Sequence, residues 1–68
     1  MDITINNQPR HFNSAALTVQ QLLDHELPEK QKGVAVAINN SVIPKADWAQ
    51  REILEKDQVL IIKATQGG

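Results

Sequence analysis

The sequence predicts an α+β fold in which a sheet of four or five strands carries one main helix on one face. Three observations predict it. One capped amphipathic segment near residues 18–27 has helical apolar spacing. Short alternating or β-branched runs stand on both sides of it. The chain has only 68 residues, close to the lower limit at which one core holds a fold without disulfides or metal. An apolar fraction of 41% and a charged fraction of 22% are ordinary globular values, so a disordered or fibrous chain is not expected. The expected organisation is one domain over residues 1–64, followed by a flexible tail at residues 65–68.

Met1, Ile3 and Ile5 alternate with Asp2 and Thr4, the period of a strand with one face on a core. Asn6, Asn7, Gln8 and Pro9 read as a hairpin turn. Asparagine tolerates the left-handed backbone such turns need, and Pro9 belongs at an edge or a strand start because it has no N–H. Residues 10–13 form the expected return strand. Thr18 and Gln21 match a capping box, which starts a helix at Thr18. Val19, Leu22, Leu23 and Leu27 then form its apolar stripe, while Gln20, Gln21, Asp24, His25 and Glu26 turn to solvent. Pro28 disfavours helical geometry at Leu27 and ends it.

Residues 34–38 are apolar with β-branched residues at alternate places, which predicts a strand. Asn39, Asn40 and Ser41 turn the chain into Val42 and Ile43, and Pro44 stops that strand. Residues 45–50 fit one short helical turn carrying Trp48, the sole tryptophan, expected to pack in the core or at its rim, with a part in a partner site as the alternative. After a polar turn at residues 55–58, Val59, Leu60, Ile61 and Ile62 begin the last strand, continuing through Lys63 and Ala64. The predicted order is β, β, α, β, β, β.

One helix covers only one side of such a sheet, so the other side stays partly open. The last strand is apolar on both faces. Part of it is therefore expected to be exposed, and exposed apolar surface marks a place for partners.

A formal charge of −1, with basic and acidic side chains scattered, offers no footprint for nucleic acid or an anionic membrane. The absence of cysteine excludes disulfides, thiolate catalysis and zinc-thiolate sites. No segment has the basic flank and apolar run of a signal peptide or the length of a membrane span, so a cytoplasmic protein is expected. Phosphate-binding glycine loops, His-Glu-x-x-His and Gly-x-Ser-x-Gly are also absent, and the chain is not expected to be an enzyme. His11 and His25 read as surface or packing residues. Glu52 with Glu55, and Asp47 with Arg51, read as solvated charges.

The chain ends Ala64, Thr65, Gln66, Gly67, Gly68. At a background of about 7% glycine, two terminal glycines arise by chance in about one chain in 200. One reading is a frayed end without function. The other is a reactive acyl end. Glycine lacks Cβ, so Gly67 and Gly68 can thread a channel closed to other residues and leave the terminal carbonyl carbon unhindered. A terminal carboxyl with a pKa of about 3.3–3.7 is ionised at neutral pH and is a poor electrophile. A partner that forms an acyl-phosphate or acyl-adenylate would have to activate it, since the chain has no nucleotide motif of its own.

Residues 18–23, 36–39, 42–49 and 57–59 together with Gly67 and Gly68 resemble, in order, the ThiS family of thiamin-biosynthesis sulfur carriers. The Ala37, Ile38, Asn39 run followed by Val42, Ile43, Pro44 and Trp48 is far more specific than the terminal glycines. The resemblance implies a β-grasp, ubiquitin-like fold with a mixed sheet and the helix packed on one face. It implies that an E1-like adenylyltransferase of the ThiF type adenylates Gly68 with ATP and magnesium, which belong to that enzyme and not to this chain. A sulfur donor such as a cysteine desulfurase then converts the end to a thiocarboxylate, and a thiazole synthase of the ThiG type receives the sulfur. By the same resemblance Val59 and Ile61 face the helix, leaving Leu60 and Ile62, with Gln66, towards partners. Lys56 departs from the family, which more often has glycine before this aspartate.

Two other readings fit less of the chain. Molybdopterin-type carriers of the same fold tend to be longer and end in a docking tail, whereas this chain is short and carries the segment from Pro44 to Trp48. An interaction or conjugation module would work through the sheet face and would not need sulfur chemistry at Gly68.

Overall fold

The computed structural model describes residues 1–28 and 32–63. Strands β1 (Asp2–Ile5) and β2 (Gln8–His11) form an antiparallel hairpin closed by Asn6 and Asn7. Both asparagines are left-handed, at φ 51 and 68, the backbone that a two-residue turn needs to match strand twist. Because this turn closes directly at Gln8, the return strand begins there and not at residue 10 as expected. The Phe12 N–H donates to Met1 O at 2.8 Å, which places the bonded rungs at Met1, Ile3 and Ile5. Pro9, opposite Thr4, therefore stands on the edge strand at a rung that asks no N–H of it.

Two further strands are too short to leave a period in the sequence: β3 (Leu17–Thr18) pairs with β6 (Glu52–Ile53). Between β3 and the next long strand runs helix α1 (Val19–Glu26), with Thr18 as N-cap. The capping box is formed in both directions: Gln21 N–H donates to Thr18 Oγ1 at 3.1 Å, and Thr18 N–H donates to Gln21 Oε1 at 2.9 Å. The remaining free amides of the first turn reach the segment before β6. Val19 N–H donates to Arg51 O and Gln20 N–H to Trp48 O, so tertiary contacts complete the cap. At the other end Leu27 caps the helix through an N–H bond to Leu23 O, just before Pro28.

Strands β4 (Val34–Ile38) and β5 (Ser41–Ile43) form the second hairpin, closed by Asn39 and Asn40 at φ 50 and 72. A 3-10 turn (Lys45–Asp47) follows and delivers Trp48 into the core, where it is 1% exposed. Strand β7 (Gln58–Lys63) takes the centre of the sheet, parallel to β1 and antiparallel to β4. The order is β2-β1-β7-β4-β5. This is a mixed five-stranded sheet with one helix, the β-grasp arrangement.

Cross-strand register sorts the side chains. Ile3, Ile5, Val36, Ile38, Val59 and Ile61 face Val19, Leu22 and Leu23 of α1, with Trp48 and Ile53 closing the same cluster. Met1, Phe12, Leu17, Leu27, Val34 and Ile43 pack around its margin. Glu26 does not turn to solvent as expected. Its carboxylate takes two bonds from the Arg10 guanidinium, at 2.8 and 2.6 Å, tying the end of the helix to the edge strand. That hydrogen-bonded guanidinium holds the Glu26 carboxyl below its ordinary pKa.

The turn before β7 explains the departure at Lys56, whose backbone is left-handed at φ 69. A residue with a Cβ is disfavoured there by about 1–2 kcal/mol, so glycine is the natural occupant. Lys56→Gly is expected to raise the unfolding free energy by about 0.5–1 kcal/mol, the relieved strain less the added freedom of the unfolded chain. Urea denaturation measures this. A loss of stability would mean that the Lys56 side chain contributes a contact larger than its backbone cost.

Among the described residues no helix is long and apolar enough to cross a membrane, and no group of three His, Asp or Glu could hold a metal ion.

Candidate functional site: the open sheet face and the root of the tail

Residues 64–68 follow β7 directly, so β7 is the root from which the chain end departs. Ala64, Gln66, Gly67 and Gly68, and with them the expected tail at residues 65–68, lie outside the described residues. What the structure defines is how the root is held and what surface surrounds it.

Three polar side chains hold β7 from the two hairpin turns and from its own approach. At its start, Asn39 Oδ1 accepts from Gln58 N–H at 2.9 Å while Asn39 N–H donates to Gln58 O at 2.8 Å. Asp57, buried at 7% exposure, accepts from Asn39 Nδ2 at 3.1 Å through Oδ1 and from Leu54 N–H at 2.8 Å through Oδ2. A buried carboxylate without partners would be strongly unfavourable; here each oxygen has one, and the turn into β7 is locked. Nearer the tail, Asn6 Oδ1 accepts from Ile61 N–H at 2.8 Å, and Asn6 Nδ2 donates to Ile61 O at 3.3 Å.

The face of the sheet opposite α1 has no covering element among the described residues. Leu60 stands opposite Ala37, and Ala37 opposite Val42, while Ile62 stands opposite Ala35. These side chains share that face. Val42 is 71% exposed, Ile62 is 53% exposed and Leu60 is half-buried, whereas Val59 and Ile61 point into the core. Small residues on β4 between larger ones on β7 and β5 make a shallow apolar trough beside the tail root. At the turn end of this face, Thr4, Asn7, Asn40, Gln58, Val59 and Leu60 line a cleft of about 120 Å³. A second opening of about 220 Å³ lies over Asp2, Ile3, Thr4, Pro9, Lys56 and Gln58.

No titratable side chain lines the first cleft, whereas Asp2 and Lys56 border the second. His11 lies 2.7 Å from Asp2 on the exposed hairpin, and this contact lowers the Asp2 pKa. His25 bonds Glu26 at 3.1 Å and meets the Phe12 ring edge-on, a packing role. What the described residues offer is an exposed apolar face beside the end of β7, with both His–carboxylate pairs on exposed surface away from it.

The residues alone pointed to exposure somewhere within positions 59–62, the family resemblance singled out Leu60 and Ile62, and Asn6, Asn39 and Asp57 were missed. The two Asn-Asn pairs gave the available signal, because each marks a left-handed turn whose first side chain is free to reach a neighbouring strand.

Comparison with known proteins agrees with this geometry. The chain is 37% identical over 68 residues to the sulfur carrier protein ThiS of Escherichia coli K12, covering the whole of both. It is also 37% identical over 68 residues to a thiazole synthase of Paramagnetospirillum magneticum, of which it spans only 20%. The crystal structure of the thiamine biosynthesis protein ThiS from Geobacter metallireducens superposes with a TM-score of 0.88 at 23% identity, covering both chains fully. The solution structure of a thiamine biosynthesis protein from the same organism superposes at 0.82 with 25% identity, covering all of this chain and 88% of the other. The family model of ThiS matches residues 3–68, and the chain belongs to the ThiS family.

Proposed function

We propose that this protein carries sulfur in thiamin biosynthesis, with the terminal carboxylate of Gly68 as its working group and Gly67 as the residue that lets the end thread a narrow channel. The full-length likeness to a sulfur carrier, extending through the terminal glycines, is the observation that carries this reading. In the first step a Gly68 carboxylate oxygen attacks the α-phosphorus of ATP, the bond to pyrophosphate breaks, and an acyl-adenylate forms. An E1-like adenylyltransferase of the ThiF type supplies the nucleotide site and magnesium. A persulfide sulfur, delivered by a donor such as a cysteine desulfurase, then attacks the acyl carbon and expels AMP. A thiol reduces the resulting acyl disulfide, releasing the thiocarboxylate and keeping the donor's sulfur as a mixed disulfide. Thiazole synthase of the ThiG type consumes the thiocarboxylate.

On this reading the chain is a protein co-substrate acting in the cytoplasm and not an enzyme, and its folded body is what partners recognise. Leu60 and Ile62, with Gln66 further along, are the proposed partner contacts, supported by the exposed apolar trough beside the tail root. The presence of a similar region inside a thiazole synthase supports direct contact with that enzyme. Intact mass of the protein from cells making thiamin is expected to show a fraction with one oxygen replaced by sulfur at Gly68. A wholly unmodified mass in such cells would refute the carrier reading.

A further inference from the structure

We infer that Asn6 is a positioning residue for the reacting end, holding the root of the tail in line where strand pairing can no longer do so. The inference rests on the carrier reading above. The parallel β1–β7 ladder consists of Thr4 with Gln58 and Ile5 with Val59, extended by one bond from Asn6 N–H to Val59 O at 2.9 Å. In a parallel ladder the next bond would run from Ile61 N–H to the backbone carbonyl of residue 6. Asn6 cannot offer it in the usual way, because at φ 51 the chain is already turning out of the sheet towards β2. The side-chain amide takes over, accepting from Ile61 N–H and donating to Ile61 O. One side chain thereby adds a rung to the sheet on the side where β1 has left it.

The position of that rung matters for the chemistry. Among the described residues, only β4 pairs with the strand between Ile61 and the end of β7, through Ala35 with Ile62 and Val34 with Lys63. Without Asn6 the last three residues of β7 would hang from one neighbour, and the direction in which the chain end leaves would be less defined. Reach into a partner's nucleotide site depends on that direction, and small misplacements of a reacting group are costly in rate. Asn39 bonds Gln58 at the opposite end of β7 and also donates to buried Asp57, so its glycine variant costs more stability and serves as the control on kcat alone.

Glycine accepts the left-handed backbone of residue 6 at least as well as asparagine, so Asn6→Gly keeps the hairpin and removes only the side-chain clamp. With ATP and a ThiF-type adenylyltransferase, pyrophosphate release measures activation of each variant. Asn6→Gly is expected to lower kcat about tenfold while KM for the carrier stays within about twofold, because the docking face is intact and only seating of the end is impaired. Ile61 amide exchange is expected to quicken about tenfold. Asn6→Asp, which keeps the acceptor for Ile61 N–H, should recover part of kcat, and Asn39→Gly should retain it. General loss of folded protein would instead raise the apparent KM and spare kcat at saturation. Wild-type kcat in Asn6→Gly, or an equal loss in Asn39→Gly, overturns the inference while the carrier reading stands; failure of the wild-type chain to be adenylated overturns both.

Discussion

Replacing Gly68 with valine is expected to abolish sulfur loading, a fall of about 100-fold or more in adenylation rate, with no change in melting temperature. The two halves of that expectation have separate causes. Among the described residues, the buried cluster that sets stability runs from Ile3 to Ile61. The chemistry, in contrast, takes place at the acyl carbon of residue 68 itself. A β-branched side chain on that residue crowds both faces of the carbonyl and removes the backbone conformations open only to glycine. Deleting Gly68 is expected to be equally severe for a different reason. It leaves a carboxylate on Gly67, chemically competent but drawn back by about 3.5 Å along the chain. Both variants should still compete with the wild-type chain for the adenylyltransferase, because Leu60, Ile62 and Val42 are untouched. Pyrophosphate release and a competition assay measure the two properties independently. Normal adenylation of Gly68→Val would sink the proposal that the terminal carboxylate is the reagent; loss of competition would show that the terminal residue also supplies docking contacts.

How far the sequence alone reaches is clearest at particular residues. The helix was legible because its determinants are local: Thr18 and Gln21 lie three residues apart and its apolar stripe repeats within eight residues. The open face was legible by exclusion, since one helix cannot cover two sides of a sheet; which of Ile61 and Ile62 faces out was not, because a two-residue period in an all-apolar run fits either register, and only the family resemblance chose it. The β3–β6 ladder was not legible. A two-residue strand has no period, and this one exists because Val19 and Gln20 need acceptors that Arg51 and Trp48 provide. The clamp from Asn6 to Ile61 joins residues 55 apart in sequence, and nothing near either of them announces the other. Glu26 misled for the same reason: its helical position pointed to solvent, but its partner Arg10 lies on the edge strand. Lys56 is the converse case, where a departure noted in sequence acquires a physical meaning once its backbone is seen to be left-handed.

The largest stability effect is expected at Trp48. Its side chain is among the largest fully buried ones, and its indole N–H donates to Ile43 O at 3.0 Å, so it fills the core and anchors β5 at once. Its backbone carbonyl receives the Gln20 amide at the start of α1. Truncation to alanine keeps that last bond but opens a cavity and leaves Ile43 O without its indole partner, at a cost of about 3–5 kcal/mol. One core in a chain of 68 residues rarely supplies more than about 3–5 kcal/mol, so Trp48→Ala should be largely or wholly unfolded at 25 °C. Trp48→Phe retains most of the volume and loses the hydrogen bond, with an expected cost of about 1–2 kcal/mol. Because Ile43 and Val42 are adjacent on β5, loosening that strand also disturbs the trough beside Leu60, and the folded fraction of Trp48→Phe is expected to dock less well on the adenylyltransferase. Urea titration followed by circular dichroism gives the stabilities. If Trp48→Ala lost less than about 1 kcal/mol, the indole would be filling space that the helix and β5 can close without it, and the joint role assigned to Trp48 would be wrong.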